Sequence, residues 1–290
     1  MTALAKRITD LRESATIKMA QLSRELKQQG KDIIDLSLGE PDFDTPEHIR
    51  ESAKKAIDDG FSHYTAVNGI VELREAVCHK FKRDNNLDYE PDQIVVSTGA
   101  KQSLANLMLC LVNPGDEVIL PCPYWVSYQS MVEIAQGTVV TIPTTVESRF
   151  KITAEQLEDT ITSKSKILVI NSPCNPTGSV YHKEELEAIA NVVARHDDLY
   201  IISDEIYEYI NFSEQHQSMG QFDIVKDRVI TVNGLSKGFA MTGWRLGYIG
   251  APKEIAAACT KMQGQFTSAT NSITQKAAIT ALTGELGPSL

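Results

Sequence analysis

The chain has 290 residues, 42% hydrophobic and 23% charged, ordinary proportions for a soluble globular enzyme with a sizeable core. Its formal net charge of −10 speaks against nucleic acid or an anionic membrane as a partner, so a bound phosphate needs a local basic pocket. No apolar run reaches membrane-spanning length, and the N-terminus lacks the apolar centre of a secretory signal. Cys78, Cys110, Cys122, Cys174 and Cys259 have no metal-like or disulfide-like spacing and read as reduced thiols of a cytoplasmic protein. On that reading the acceptor pattern at Asn211-Phe212-Ser213 is a chance match.

Apolar spacing predicts a helix over 17–29, stopped at Gly30, and a short strand at Ile33-Ile34-Asp35-Leu36. Thr45 is placed to cap a helix that starts at Pro46 and runs to about Asp59, with Gly60 ending it. A loop with Tyr64 and a turn at Asn68-Gly69 leads to a helix over 70–84, then to a strand at 94–96. Ser97-Thr98-Gly99-Ala100 turns into a helix over 101–112, whose free N-terminal N–H groups make an anion site.

The rhythm then repeats. Strands are expected at 117–120, 138–142, 167–171, 199–203 and 229–232, and helices at 125–135, from about 154, and at 183–195. Thr153 and Gln156 form a capping pair for the middle helix. Alternation of this kind predicts a three-layer α/β/α sandwich with a mainly parallel sheet, which binds ligands at the carboxyl ends of its strands. After Gly250 only helices follow, 253–264 and 272–283, and their apolar faces are expected to lack a partner, the mark of a truncated chain.

Chemistry-bearing residues fall at the predicted strand ends. After 229–232, Lys237 sits in a turn flanked by Gly234 and Gly238, expected to let the backbone bend sharply. A lysine there is poorly hydrated, which favours its neutral, nucleophilic form. Ser236 and Arg245 are natural phosphate ligands beside it. Lysine plus a phosphate site suggests an aldehyde cofactor with a phosphate tail, pyridoxal 5'-phosphate; a surface lysine and a structural arginine are the plain alternative.

Asp204 ends the strand 199–203, where it could cap a helix or serve as the acid beside a pyridine nitrogen. A carboxylate at about 4 Å contributes on the order of 4 kcal/mol at an effective dielectric near 20, roughly three pKa units. Asn175, in the proline-rich loop NSPCNPTG, and Tyr207 could both donate to the ring oxygen. Trp125 could stack on the ring or pack in the core. GAKQ at 99–102 is not a nucleotide loop, because position 94 is isoleucine and Lys101 is followed by glutamine.

Six segments in order, SLGEPDFDTP, STGAKQ, PYWVSY, NSPCNPTG, SDEIYE and NGLSKGFAMTGWRLGY, span essentially the whole chain. Together they resemble the class I/II pyridoxal-phosphate aminotransferases, most closely the bacterial-type aspartate and aspartate/prephenate enzymes. The resemblance implies the large domain of a fold type I transferase. Residues 1–45 would be an N-terminal arm and part of a small domain, 46–285 the cofactor-binding domain ending in an interdomain helix, and 286–290 the truncated start of a C-terminal small domain. The family's second substrate arginine lies beyond position 290.

The resemblance also assigns roles. Lys237 would form the imine with the cofactor and then move the α-proton, with Asp204 on the pyridinium nitrogen and Asn175 and Tyr207 on the ring oxygen. Trp125 would stack on the ring; Gly99, Ala100, Lys101, Ser236 and Arg245 would hold the phosphate, joined by Tyr64 from a neighbouring subunit of a homodimer. On the substrate side it implies Gly39, Trp125 and Asn175, with Lys101 and Thr16 recognising a distal carboxylate. No metal is expected. The activity implied is transfer of the amino group of L-aspartate, or a related acidic amino acid, to 2-oxoglutarate by a ping-pong mechanism. The rivals are a C–S β-lyase, aromatic/prephenate or alanine specificity, and a cofactor-sensing domain of a transcription regulator, which has no basic helix-turn-helix pattern before residue 30 to support it.

Overall fold

The computed structural model describes residues 4–11, 13, 15–36, 39–212 and 215–284, with no side chains given at 15 and 16. Strands β1 (Ile94–Ser97), β2 (Glu117–Cys122), β3 (Thr138–Pro143), β4 (Ser165–Asn171), β5 (Tyr200–Asp204), β6 (Val229–Gly234) and β7 (Gly247–Gly250) form one sheet. Its order is β1-β7-β6-β5-β4-β2-β3, and every pair is parallel except that β7 runs antiparallel to both β6 and β1.

The helices are α1 (Lys6–Thr9), α2 (Ala15–Gln28), α3 (Glu47–Asp58), α4 (Val71–Asn85), α5 (Ala100–Leu111), α6 (Ser127–Ile134), α7 (Ala154–Thr160), α8 (Lys183–Val193), α9 (Lys253–Phe266) and α10 (Ser272–Thr283). Side chains alternate across a strand, so the sheet has two apolar faces. Ile167 and Val169 join Leu104, Met108 and Val132 of α5 and α6 on one face. Leu168 and Ile170 join Leu157, Leu186 and Ile189 of α7 and α8 on the other. The same alternation in β1 sends Val95 to the α5 face and Ile94 and Val96 to a cluster with α3, α4 and α10. The expected three-layer sandwich with a mainly parallel sheet is what forms. A central strand such as β4 can be a continuous apolar run because both of its faces are covered, each side chain contributing about 1.5–3 kcal/mol.

Local signals hold where the sequence supplies a mechanism. Thr153 Oγ1 accepts from Gln156 N at 3.1 Å, and Gln156 Oε1 accepts from Thr153 N at 2.9 Å, the reciprocal cap of α7. Gly30, at φ +78°, follows the end of α2.

Several expectations are corrected. Residues 33–36 form no strand: among the described residues no strand pairs with this segment, and Ile34 and Leu36 are 88% and 90% exposed. Thr45 does not cap α3; its hydroxyl donates to Ala240 O at 2.7 Å, tying the start of α3 to the lysine loop. The strand β7 has no counterpart among the predicted elements, because four residues bounded by Gly247 and Gly250 carry no periodicity to read. The last two helices do have partners: Ala277, Ala278 and Leu282 of α10 bury against Ile49 of α3 and Leu73 and Val77 of α4, while Ile255 and Cys259 of α9 join the α5 cluster. Residues 286–290 lie outside the described residues.

Candidate active site

The carboxyl ends of β4, β5 and β6 lie side by side and deliver Asn171, Asp204 and the Leu235-Ser236-Lys237 turn to one edge of the sheet. The turn after β1 brings Thr98, Gly99 and the start of α5 to the same edge, and the loop after β2 brings Trp125 and Tyr128. A cavity of about 920 Å³ opens there, lined among others by Lys101, Trp125, Asn175, Asp204, Tyr207 and Lys237.

Asp204 is buried, and burial pushes its carboxyl up to about 6 against the opposing hydrogen bonds from Tyr128 and the Ile206 N–H. Tyr128 Oη donates to Asp204 Oδ2 at 2.6 Å. Asn171 fixes the neighbouring loop: its Nδ2 donates to Asp204 O at 2.9 Å, and its Oδ1 accepts from Asn175 N at 2.7 Å. Asn175 Nδ2 then lies 3.4 Å from Tyr207 Oη, so the two donors face one point of the cavity. Asp204 also accepts from Ile206 N at 3.3 Å, so turn capping and a role in the cavity coexist in one side chain.

Lys237 is half-buried, its Nζ donating to Gly39 O and standing 5.6 Å from the Tyr207 ring centre. Burial lowers its proton affinity, the Glu40 carboxylate opposes, and Arg245 adds to the lowering; the net direction is downward. The flanking glycines serve close approach rather than the expected bend. A Cβ on Gly238 would stand 2.5 Å from the Tyr209 ring, and one on Gly234 2.9 Å from Leu246 O.

Arg245, at φ +55°, is held by Thr242 O at 2.9 Å and lies against Gly99, where a Cβ would come within 2.3 Å of its guanidinium. Gly99 itself has φ +86°, a conformation that favours glycine, and starts α5. Ser236, Arg245 and the N-terminus of α5 thus converge as a cradle for a small anion. Lys101 Nζ sits 4.8 Å from the Trp125 ring centre, and burial followed by Arg245 lowers its proton affinity too. Trp125 meets Tyr128 edge-on at 5.4 Å.

The structure brings Gly39, Ala100, Lys101, Trp125, Asn175, Asp204, Tyr207, Ser236, Lys237 and Arg245 around one cavity, with Gly99 touching Arg245 behind it. Tyr64 is not among the lining residues and is 99% exposed. Thr16 has its backbone in α2, but its side chain lies outside what is described. The sequence reading missed Tyr128, Asn171 and Glu40. Tyr128 was signalled by its place three residues after Trp125 at the start of a helix; Asn171 was signalled only as the last residue of an apolar strand.

These features test a phosphorylated pyridine aldehyde well. One buried carboxylate suits a ring nitrogen, two donors suit a ring oxygen, an amine of lowered proton affinity suits an aldehyde, and a glycine-backed guanidinium suits a phosphate. Residues 31–287 match the family model for aminotransferase class I and II, and the chain belongs to that family. Aminotransferases of this class use pyridoxal phosphate.

Among its relatives, the bifunctional aspartate aminotransferase and glutamate/aspartate-prephenate aminotransferase of Petunia hybrida is 49% identical over 97% of this chain and 59% of its own length. The aspartate/prephenate aminotransferase of Nitrosomonas europaea is 46% identical over 97% of this chain and 72% of its own. Among solved structures, the aspartate aminotransferase of Rhizobium meliloti superposes with a TM-score of 0.96 at 42% identity, covering 100% of this chain and 73% of that one. The Thermus thermophilus enzyme, solved with maleate, gives 0.95 at 45% identity over 98% and 73%. The chain therefore spans roughly three-fifths to three-quarters of these relatives' lengths. No helix among the described residues is long and apolar enough to cross a membrane.

Proposed function

We propose that this chain is the cofactor-binding part of an aspartate aminotransferase that passes the amino group of L-aspartate, or a related acidic amino acid, to 2-oxoglutarate by a ping-pong mechanism. The observation that carries the reading is a single cavity in which the Lys237 amine, the Asp204 carboxylate and the Arg245 guanidinium meet. The same reading makes 46–285 the cofactor domain, with 1–45 as arm and part of a small domain and 286–290 as the start of a further one.

Pyridoxal phosphate, when bound, supplies an electron sink for a carbanion at the substrate's α-carbon. The protein's part is to hold and to move protons. Asp204 keeps a proton on the ring nitrogen, because a buried carboxylate with Tyr128 already donating to it gains most by pairing with a cation. Asn175 and Tyr207 orient the ring oxygen, and Ser236, Arg245 and the α5 N-terminus fix the phosphate end. Trp125 covers a ring face. Lys237 Nζ would be the general base that takes the substrate's α-proton and later gives it up, a role favoured by the lowering of its proton affinity on burial.

Lys101 over Trp125 offers a cation on the substrate side, which supports a second carboxylate on the substrate; the bound maleate of the Thermus relative is such a dicarboxylate. The homodimer belongs to the same proposal, supported by the exposed Tyr64 standing clear of its own cavity. So does the cytoplasm, supported by five free cysteines.

The test is direct. After incubation with pyridoxal phosphate and reduction with borohydride, one adduct should map to Lys237. Label scattered over surface lysines, or none in a folded sample, would overturn the reading. In an unreduced, cofactor-loaded sample, aspartate added without an oxo acid should yield oxaloacetate stoichiometric with cofactor; release of pyruvate and ammonia from a cystathionine-like substrate would reveal elimination instead.

A further inference from the structure

Behind the wall made by Asp204 lies a layer of buried charge with no part in the chemistry above. Asp204 lines the cavity, whereas Glu205, the next residue, does not and is 1% exposed. Its carboxylate accepts from Ser203 Oγ at 2.8 Å, Ser218 Oγ at 2.6 and 2.7 Å, and Asn85 Nδ2 at 3.2 Å, and it pairs with His216 Nε2 at 2.9 Å. Asn85 also donates to Glu208 Oε2 at 2.8 Å and accepts from Lys80 Nζ at 2.6 Å, and Lys80, wholly buried, forms an ion pair with Glu208.

Two acids thus face an ammonium and an imidazole. Burial pushes the Glu205 carboxyl up, but His216 and the serine hydroxyls outweigh it and hold it below the ordinary glutamate value. Although ligand atoms of Glu205, Glu208 and His216 lie within 4.8 Å of one another, Lys80 already supplies the cation that a metal would bring.

The layer is fastened to both arms of the site. Glu205 N donates to Val232 O at 2.9 Å, and Glu208 N to Glu205 O at 3.0 Å, which closes the turn that carries Tyr207. Tyr209 Oη donates to Asp84 Oδ2 at 2.5 Å, its ring lies 5.4 Å from Lys80 Nζ, and that ring fills the space over Gly238, next to Lys237.

We propose that Glu205 is a positioning residue for the cofactor's ring nitrogen: held by four donor side chains, it fixes the backbone from which Asp204 and Tyr207 enter the cavity. The inference rests on the pyridoxal phosphate reading above. A glutamine at 205 would keep the shape but set an amide N–H against donors and leave a positive excess in a dry layer.

The experiment compares equilibrium binding of pyridoxal phosphate with that of its analogue carrying CH in place of the ring nitrogen. The wild-type chain should prefer the natural cofactor by about tenfold, the size of one charge-assisted hydrogen bond. Glu205→Gln should lose most of that preference while binding the analogue within about twofold of wild type. Ser218→Ala, which removes one donor and keeps the charge, should shift the preference the same way by about twofold and serves if the first variant does not fold. Equal weakening toward both ligands, or an unchanged preference in a folded variant, would show a merely structural residue and overturn the proposal. A wild-type chain that binds both ligands equally would overturn the ring-nitrogen role of Asp204 and the proposal with it, whereas one that binds neither would overturn the underlying cofactor reading.

Discussion

The phenol of Tyr128 donates to Oδ2 of Asp204 at 2.6 Å, and both side chains are buried. Two residues 76 apart in sequence thereby share one proton-sensitive contact at the floor of the site. Burial sets the Asp204 carboxyl at about 6, and the Tyr128 hydrogen bond works against that rise. Tyr128→Phe should therefore raise it by about one further unit, since a hydrogen bond to a charged group contributes about 1.5–3 kcal/mol. Cofactor affinity measured against pH should fall below about 6 in the wild type, and about one unit higher in the variant. An unshifted profile would refute the linkage.

The same carboxyl predicts an opposite trend for the empty chain. A folded-state value raised above the ordinary aspartate value contributes stability that is fully present below that value and lost as pH rises through about 6. Asp204→Asn should accordingly melt higher than wild type at pH 8 (about two units above that transition) without cofactor, the difference shrinking below pH 6. With pyridoxal phosphate present the order should reverse. Thermal unfolding at several pH values decides it.

Glycine substitutions separate crowding from backbone conformation. A Cβ at Gly247 would stand 2.1 Å from Ala100 N, and backbone cannot swing aside, so Gly247→Ala should cost at least about 3 kcal/mol and loosen the α5 cradle. Gly99→Ala meets a flexible arginine but carries φ +86°, and should weaken inorganic phosphate binding more than stability. Gly243→Ala meets nothing within 4 Å and should change neither. Denaturant unfolding and phosphate titration read all three.

Lys80→Met should strand Glu208 in a dry layer and cost about 3–5 kcal/mol. Adding Glu208→Leu removes the uncompensated charge, and the double variant should recover more than half of that loss. Purely additive losses in a double-mutant cycle would mean that the buried pair does not act as a pair.

Lys101→Met removes the cation over Trp125, and should raise KM for aspartate about tenfold while leaving the Lys237 adduct in place. Measured on a form of the protein shown to turn over, an unchanged KM would free the lysine for the phosphate side.

Much of this was legible in the sequence because it rests on local rules. The strand–turn–helix alternation gave the sandwich, and the Thr153–Gln156 pair gave a helix start to the residue. Lys237, Asp204, Asn175 and Arg245 stood out because each follows an apolar strand or a glycine turn. What was hidden depends on distant partners. Tyr128 matters only because β5 lies where its hydroxyl can reach, and Glu40 only because its loop folds back on Thr242 at 2.6 Å. Residues 33–36 look like a strand by composition, and nothing within the segment says that no strand among the described residues will pair with it. Thr45 has the right chemistry for a cap and a better acceptor elsewhere.

The late strand β7 gives the molecule an order of assembly. β1 ends at Ser97, yet its sheet neighbour begins only at Gly247, 150 positions on (247 − 97). At roughly 5–20 residues per second a ribosome needs on the order of ten seconds to bridge that gap, during which β1 has no native sheet partner. Ribosome-stalled chains ending before and after residue 250 should differ in whether they retain pyridoxal phosphate. The Gly99 side of the cradle descends from β1, whereas Arg245 stands two residues before β7, so capture of the small molecule marks the moment at which translation has passed β7.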